Sequence, residues 1–100
     1  MIVAKFGGTP MADSNNVNKV IRMILHNKQR KIIVVSAPGA RFKGDKKVTD
    51  LLIEAADPSI DAKKRKKHID EIIARFSEIA KGTGADVTLT VGALEDLVTR

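Results

Sequence analysis

The 100-residue sequence has no cysteine, no tryptophan and no tyrosine, and it has only two histidines. The lack of cysteine excludes a disulfide scaffold, a thiol nucleophile and a cysteine-bound zinc site. The two histidines, His26 and His68, are too few for a metal site built from histidine alone. With three phenylalanines as its only large aromatic residues, the chain is poorly supplied with stacking groups for single-stranded nucleic acid.

Long hydrophobic runs are also missing. No apolar stretch approaches the roughly 20 residues that a membrane-spanning helix needs. Lys5, Gly7 and Gly8 interrupt the apolar start, so no signal peptide is expected. We therefore expect a cytoplasmic protein with no membrane partner. The length, with 43% hydrophobic and 30% charged residues, predicts one small globular domain.

Positive charge is in excess, and the formal net charge is +6. Many of the cations lie in residues 28–31, 41–47 and 63–67. They indicate either phosphate neutralisation on a nucleic acid, or a solvated surface that receives a small anion. The scarcity of aromatic residues makes nucleic acid the less favoured partner. A non-catalytic basic α/β module that binds an acidic partner or nucleic acid is kept as the alternative function.

Hydrophobic patterns predict a strand, a helix and a second strand within the first 35 residues. Residues 2–6 form a short apolar run, and residues 14–26 carry an apolar stripe at helical spacing that Asp13 or Ser14 could cap. Residues 32–35 are continuously β-branched, which is typical of a strand buried on both faces. Such a unit places the two strands side by side and parallel.

The remaining pattern is mostly helical. Helices are predicted over 48–56 and 59–80, the second with Ser59 or Asp61 as its cap and a charged face opposite its apolar stripe. Residues 81–84 supply a cation and glycines suited to its end. Residues 86–91 alternate like a half-buried strand before a short helix at 92–98, but 86–98 also fits one irregular helical segment.

Two polar loops, 7–13 and 36–47, leave the carboxyl ends of the parallel strands, where ligands of such sheets bind. Lys5 and the Gly7-Gly8 pair could meet a phosphate through an ammonium and backbone N–H groups. A simple strand-ending turn is the more common reason for such glycines, and a Walker A loop is absent. Ser36 could contact a ligand or satisfy its own backbone, and Thr49 could bind an anion or cap a helix.

Three segments together, 1–9, 34–39 and 47–52, resemble the N-terminal portion of aspartate kinase, a member of the amino-acid kinase superfamily. Residues 69–84 are similar to a helical hairpin that follows in some bacterial members. The resemblance implies an α/β fold of the three-layer αβα sandwich type. Residues 1–100 would hold only its N-terminal βαβ unit and the following helices, as an incomplete domain without the regulatory ACT domains.

The resemblance also implies a reaction, in which the γ-phosphate of ATP passes to the side-chain carboxylate of L-aspartate. The product, 4-phospho-L-aspartate, enters lysine, threonine and methionine synthesis, and Mg²⁺ accompanies ATP with no metal ligand identified in this chain. Lys5 matches the lysine that stabilises the transferring phosphoryl group. The remaining matches are a phosphate-binding loop of Gly7, Gly8 and Thr9 and two aspartate-binding hydroxyl residues, Ser36 and Thr49.

Two departures from the family pattern qualify this expectation. Pro10 stands where the family usually has a serine, which removes a hydroxyl and an N–H donor. The downstream half of the family's active site has no counterpart in these 100 residues. We therefore expect no meaningful turnover from this chain alone, and we expect self-association to cover its exposed sheet.

Overall fold

The computed structural model describes residues 1–88, 91–93 and 96. All five elements predicted before residue 85 are present, although β2 begins two residues earlier than expected and α3 begins at residue 62 rather than 59. In chain order they are β1 (Ile2–Phe6), α1 (Ser14–His26), β2 (Arg30–Val35), α2 (Val48–Ala56) and α3 (Ala62–Thr83). Within the described ranges, no helix has the combination of length and hydropathy that crossing a membrane requires.

Side-chain caps decide where the two long helices begin, and a glycine cap decides where α3 ends. The Asp13 carboxylate accepts the backbone N–H of Asn16 at 2.9 Å and so caps α1. The Asp61 carboxylate does the same for the N–H of Lys64 at 2.7 Å, which explains why α3 starts after Asp61 and not at Ser59. Gly84 ends α3 in the left-handed conformation, with φ of 81°.

The sheet consists of β1 and β2, paired in parallel from Val3 beside Ile32 to Phe6 beside Val35. The predicted strand–helix–strand unit and the α/β class are therefore confirmed. The prediction that β2 is buried on both faces is wrong, because Ile32, Val34 and Val35 are 44%, 45% and 51% exposed. Each strand of the described sheet has one neighbour, so the sheet is too narrow to enclose its own apolar side chains.

The main core lies between α2 and α3, which follow each other in the chain. It is formed by Val48, Leu51, Ala55, Ile69 and Ile72. The apolar stripes predicted these residues, but they also contained Leu25 and Phe76, which are 76% and 37% exposed. Conversely, Arg75 is buried although the charged residues of this helix were expected on its solvent face.

Helical structure is found in the described part of the C-terminal region. Thr88, residues 91–93 and Asp96 are helical, and the N–H of Val91 donates to the carbonyl of Val87 at 2.9 Å. The half-buried strand is therefore wrong for Thr88 and Val91, which follow the helical alternative. Part of that prediction falls on residues 89, 90, 94, 95, 97 and 98, which lie outside the described residues.

Helices α1 and α3 meet at Gly82. The Glu78 carboxylate accepts the backbone N–H of Ser14 at 2.9 Å, and the Gly82 carbonyl accepts the side-chain amide of Asn18 at 3.1 Å. A Cβ at Gly82 would overlap the Cβ and Oγ of Ser14. The absence of a side chain at Gly82 therefore lets the two helices approach this closely.

We expect Gly82→Ala to destabilise the protein by about 1–2 kcal/mol in urea unfolding. Alanine gains up to about 1 kcal/mol of helix propensity, but overpacking at a rigid contact costs about 1–3 kcal/mol. Ser14→Gly is the matched partner, because it removes the atoms that the new methyl group meets. A double variant whose loss of stability equals or exceeds the sum of the two single losses would contradict this account.

Candidate functional site

A cavity of about 220 Å³ lies where the segments that follow β1 and β2 meet the start of α2. Its lining includes Gly8, Thr9, Ser36, Gly39, Lys47 and Thr49. Four of the residues singled out in the sequence are thus brought together. The cavity is below the roughly 300–1,000 Å³ of drug-sized ligand pockets, so it suits an amino acid or a phosphoryl group rather than a whole nucleotide.

Lys5 and Gly7 are not among the residues that line this cavity. Lys5 lies within β1 beside Val34 of β2, and its side chain is exposed. Gly7 is exposed as well, and a Cβ built on it meets no atom within 4 Å. Lys5 thus precedes Gly8, the first residue of the cavity lining, by three positions in the chain.

The first two walls of the cavity touch through glycine backbone. The N–H of Gly39 donates to the carbonyl of Gly8 at 2.8 Å. A Cβ on Gly39 would lie 2.6 Å from the Gly8 carbonyl carbon and 2.9 Å from the Thr9 nitrogen. Gly39 must therefore lack a side chain, and the reason is the approach of Gly8.

The third wall is the start of α2. The N–H of Val48 donates to the carbonyl of Pro38 at 3.0 Å, which fixes the helix start on the loop after β2. Asp50 accepts the backbone N–H of Lys47 at 3.4 Å, and such first-turn carboxylates favour the helix. Thr9, Ser36, Lys47 and Thr49 are exposed, so a hydroxyl on each wall and one ammonium are available to a ligand.

The segment between these walls is folded back by an ion pair. The Arg41 guanidinium donates to both carboxylate oxygens of Asp45, at 2.8 and 3.0 Å, and the N–H of Arg41 also reaches that carboxylate. Hydrogen bonding from Arg41 holds the pKa of the Asp45 carboxyl far below its usual range. Gly44 supplies the positive φ that this turn needs.

Arg75 of α3 reaches the same segment from beneath. Its side chain is only 5% exposed, and its guanidinium donates to the carbonyls of Gly39 at 2.6 Å and Lys46 at 2.9 Å. Burial lowers the pKa of Arg75, and the nearby charge of Arg41 adds to this effect. Asp45 lies 3.8 Å away as the opposing charge.

Sequence reasoning did not assign a role to three residues at this site. Gly39 and Lys47 stand inside the motif segments, so their positions beside Ser36 and Thr49 were a usable signal. Arg75 gave none, because it follows Ile72 by three residues in a helix rich in charged side chains.

Pro10 occupies the first turn of the 3₁₀ helix Thr9–Met11, where the missing N–H costs no helical hydrogen bond.

The donor set of the cavity is suited to oxyanions. Hydroxyls, a lysine and the N-terminus of a nine-residue helix all favour negative charge. Among residues 1–88, 91–93 and 96, no group of three or more His, Cys, Asp or Glu side chains is placed to hold a metal ion. A phosphate or carboxylate group fits these residues.

The chain is similar to two aspartate kinases. No family model matches the sequence. It is 32% identical to aspartokinase 3 of Bacillus subtilis (strain 168) over 99% of this chain. The fold matches the crystal structure of Clostridium acetobutylicum aspartate kinase with a TM-score of 0.78 and 35% identity over 97% of this chain. The predicted resemblance to aspartate kinase is confirmed.

The match to aspartate kinase covers only part of those proteins. This chain spans 22% of aspartokinase 3 and 22% of the crystallised Clostridium chain. Within that span, the segments that carried the resemblance are the ones that the structure gathers around the cavity.

Substitution of Gly39 tests the contact between the first two walls. We expect Gly39→Ala to cost about 1–3 kcal/mol in urea unfolding, because its methyl group must displace Gly8 backbone. Gly7→Ala is the matched control and should stay within about 0.5 kcal/mol, since the space around it is open. Equal losses for the two variants would contradict the assigned contact.

The Asp45 carboxyl should titrate well below the usual range for aspartate, as followed by carboxyl-carbon NMR. A lowered pKa means that its stabilising effect is present above about pH 4, the ordinary aspartate pKa, and is lost as pH falls toward the folded value. Arg41→Gln should return the midpoint toward the ordinary value. An ordinary midpoint in the unaltered chain would refute the ion pair.

Proposed function

We propose that this chain is a segment of an aspartate kinase and that its cavity binds the phosphoryl acceptor, L-aspartate. The single observation that carries the proposal is the convergence of the three motif segments on one oxyanion-suited cavity. In this proposal the reaction transfers the γ-phosphate of ATP to the side-chain carboxylate of L-aspartate. The parent fold is a three-layer αβα sandwich, the pathway is that of lysine, threonine and methionine, and the compartment is the cytoplasm.

Each wall of the cavity has a role in this proposal. Ser36 and Thr49 hold L-aspartate through their hydroxyls, with Lys47 as an added cation for a carboxylate. Gly8 and Thr9 offer backbone N–H groups to the phosphoryl group as it arrives. These roles are supported by the position of the four residues and Lys47, all of which line the same cavity.

Lys5 and Gly7 act from outside the lining. Lys5 is exposed, and its long side chain is free to extend toward a phosphate held at the mouth of the cavity. An ammonium there would stabilise charge on the transferring phosphoryl oxygens. Gly7 leaves open space beside the loop, through which ATP and its Mg²⁺ can approach.

In this proposal the chain supplies only part of the active site. A cavity of about 220 Å³ accommodates aspartate or a phosphoryl group but not the rest of ATP, so the chain contacts ATP at its phosphates only and the nucleoside needs further groups. Because misplacement by about 1 Å can cost roughly 10²-fold in rate, we propose that the chain alone has no meaningful turnover. Self-association is proposed to cover the exposed side chains of β2.

Ligand titration of the ¹⁵N-labelled chain tests the function. We expect L-aspartate to shift the amide signals of Ser36, Gly39 and Thr49, and Mg-ATP to shift those of Gly8 and Thr9. Lys5→Ala should weaken Mg-ATP at least about tenfold, the loss expected for one charge-assisted contact. Lys64→Ala is the control and should change neither affinity.

Two results would count against the proposal. Shifts confined to residues 63–67, which disappear as salt is raised and show no preference for nucleotide, would favour the basic-module alternative. A hydroxylamine trap run with Mg-ATP and L-aspartate should yield no acyl hydroxamate from the chain alone. An aspartate-dependent signal that Lys5→Ala abolishes would show that the chain builds a complete site by itself.

A further inference from the structure

We propose that Arg75 is a positioning residue, which sets the distance between two walls of the cavity by holding both ends of the 39–46 loop on α3. The proposal deepens the proposed function and rests on it for the identity of the ligand. Arg75 itself is not in the lining of the cavity. It acts through the backbone of Gly39, which lines the cavity, and of Lys46, which directly precedes the lining residue Lys47.

The hydrogen bonds of Arg75 reach opposite ends of this loop. One terminal nitrogen donates to the carbonyl of Gly39 at 2.6 Å, and the other donates to the carbonyl of Lys46 at 2.9 Å. The two acceptors stand seven positions apart in the chain and are joined by one rigid, planar group. The guanidinium thus fixes where the chain leaves the second wall and where it returns to the third.

Each end of the loop is connected onward to the cavity. On one side, Gly39 donates its N–H to the Gly8 carbonyl at 2.8 Å, so the residue whose carbonyl Arg75 holds is also bonded to the first wall. On the other side, Lys46 directly precedes Lys47 and the start of α2. A shift of the guanidinium would therefore move Gly8 and Thr49 relative to each other.

Arginine is the residue type that this geometry requires. Its fork presents donors in fixed directions, whereas a lysine ammonium is a single point of charge on a flexible stem. The side chain is 5% exposed, and Asp45 at 3.8 Å is its nearby carboxylate. The two donor directions of the fork meet two carbonyls that are separate in the chain, so the guanidinium is suited to positioning them relative to each other.

Arg65 offers a matched control in the same helix. It also donates to two backbone carbonyls, those of Ala55 and Asp57, each at 3.0 Å. Those carbonyls lie at the other end of α2 and outside the cavity lining. Arg75→Met and Arg65→Met therefore remove the same number of backbone hydrogen bonds from α3, one pair beside the cavity and one pair away from it.

The first test needs no ligand. In native-state hydrogen exchange, Arg75→Met should speed exchange at the amides of Gly39 and Val48 at least about tenfold, the loss expected for a hydrogen bond to a charged group. Arg65→Met should leave those two amides unchanged, and Arg75→Lys should fall between. Amides of α1 report global unfolding, so a loss of fold is separated from a loosened loop.

The second test adds L-aspartate as the probe. Arg75→Met should raise its Kd at least about tenfold relative to Arg65→Met. Faster Gly39 exchange with an unchanged Kd would overturn the positioning role while leaving the proposed function intact. No binding to the unaltered chain, together with faster Gly39 exchange in Arg75→Met, would support the hold on the loop and overturn the proposed function.

Should the methionine variant fail to fold, a measurement on the unaltered protein decides the matter. A guanidinium held at two carbonyls rotates slowly about its Nε–Cζ bond, so the terminal N–H signals of Arg75 should be resolved and distinct by NMR. Averaged signals for Arg75, like those of an exposed arginine, would overturn the proposal.

Discussion

The contact of Gly39 with Gly8 is the constraint on which the site depends. Two loops that follow different strands lie backbone to backbone there, joined by a 2.8 Å hydrogen bond with no side chain between them. The carbonyl of Pro38, one residue earlier, accepts the N–H of Val48 and brings in the start of α2. Three segments distant in sequence therefore form one cavity because a single short stretch contacts both of the others.

Local signals were sufficient for most of the fold. Asp13 and Asp61 were among the predicted caps, and each accepts a backbone N–H three residues later in the structure. A cap and an apolar stripe act within a few turns of helix, so sequence carries them directly. The order of strand, helix and strand likewise predicted parallel pairing, because a short right-handed crossover allows few other arrangements.

Features that depend on distant partners were not predictable in the same way. The β-branched run of β2 indicates an apolar environment, but the narrow described sheet leaves Ile32 and Val34 partly exposed. Arg75 looks like any other charged helix residue until the loop above it supplies carbonyls for its guanidinium. The meeting of the loops that hold Gly8 and Ser36 was predictable from strand order, whereas the place of Lys5 outside the lining was not.

The connectivity of the helices has a consequence for how the protein folds. Helices α2 and α3 are neighbours in sequence, so their hairpin closes a short loop and forms early. The contacts of α1 with α3 join residues 64 positions apart, as in Ser14 with Glu78, and this longer closure comes later. The cavity takes one wall from the loop after β1 and another from the start of α2, so it exists only after the strand–helix–strand unit and the helical hairpin have come together. A ligand of the cavity therefore binds the completed fold alone and draws the slow closure toward the native state.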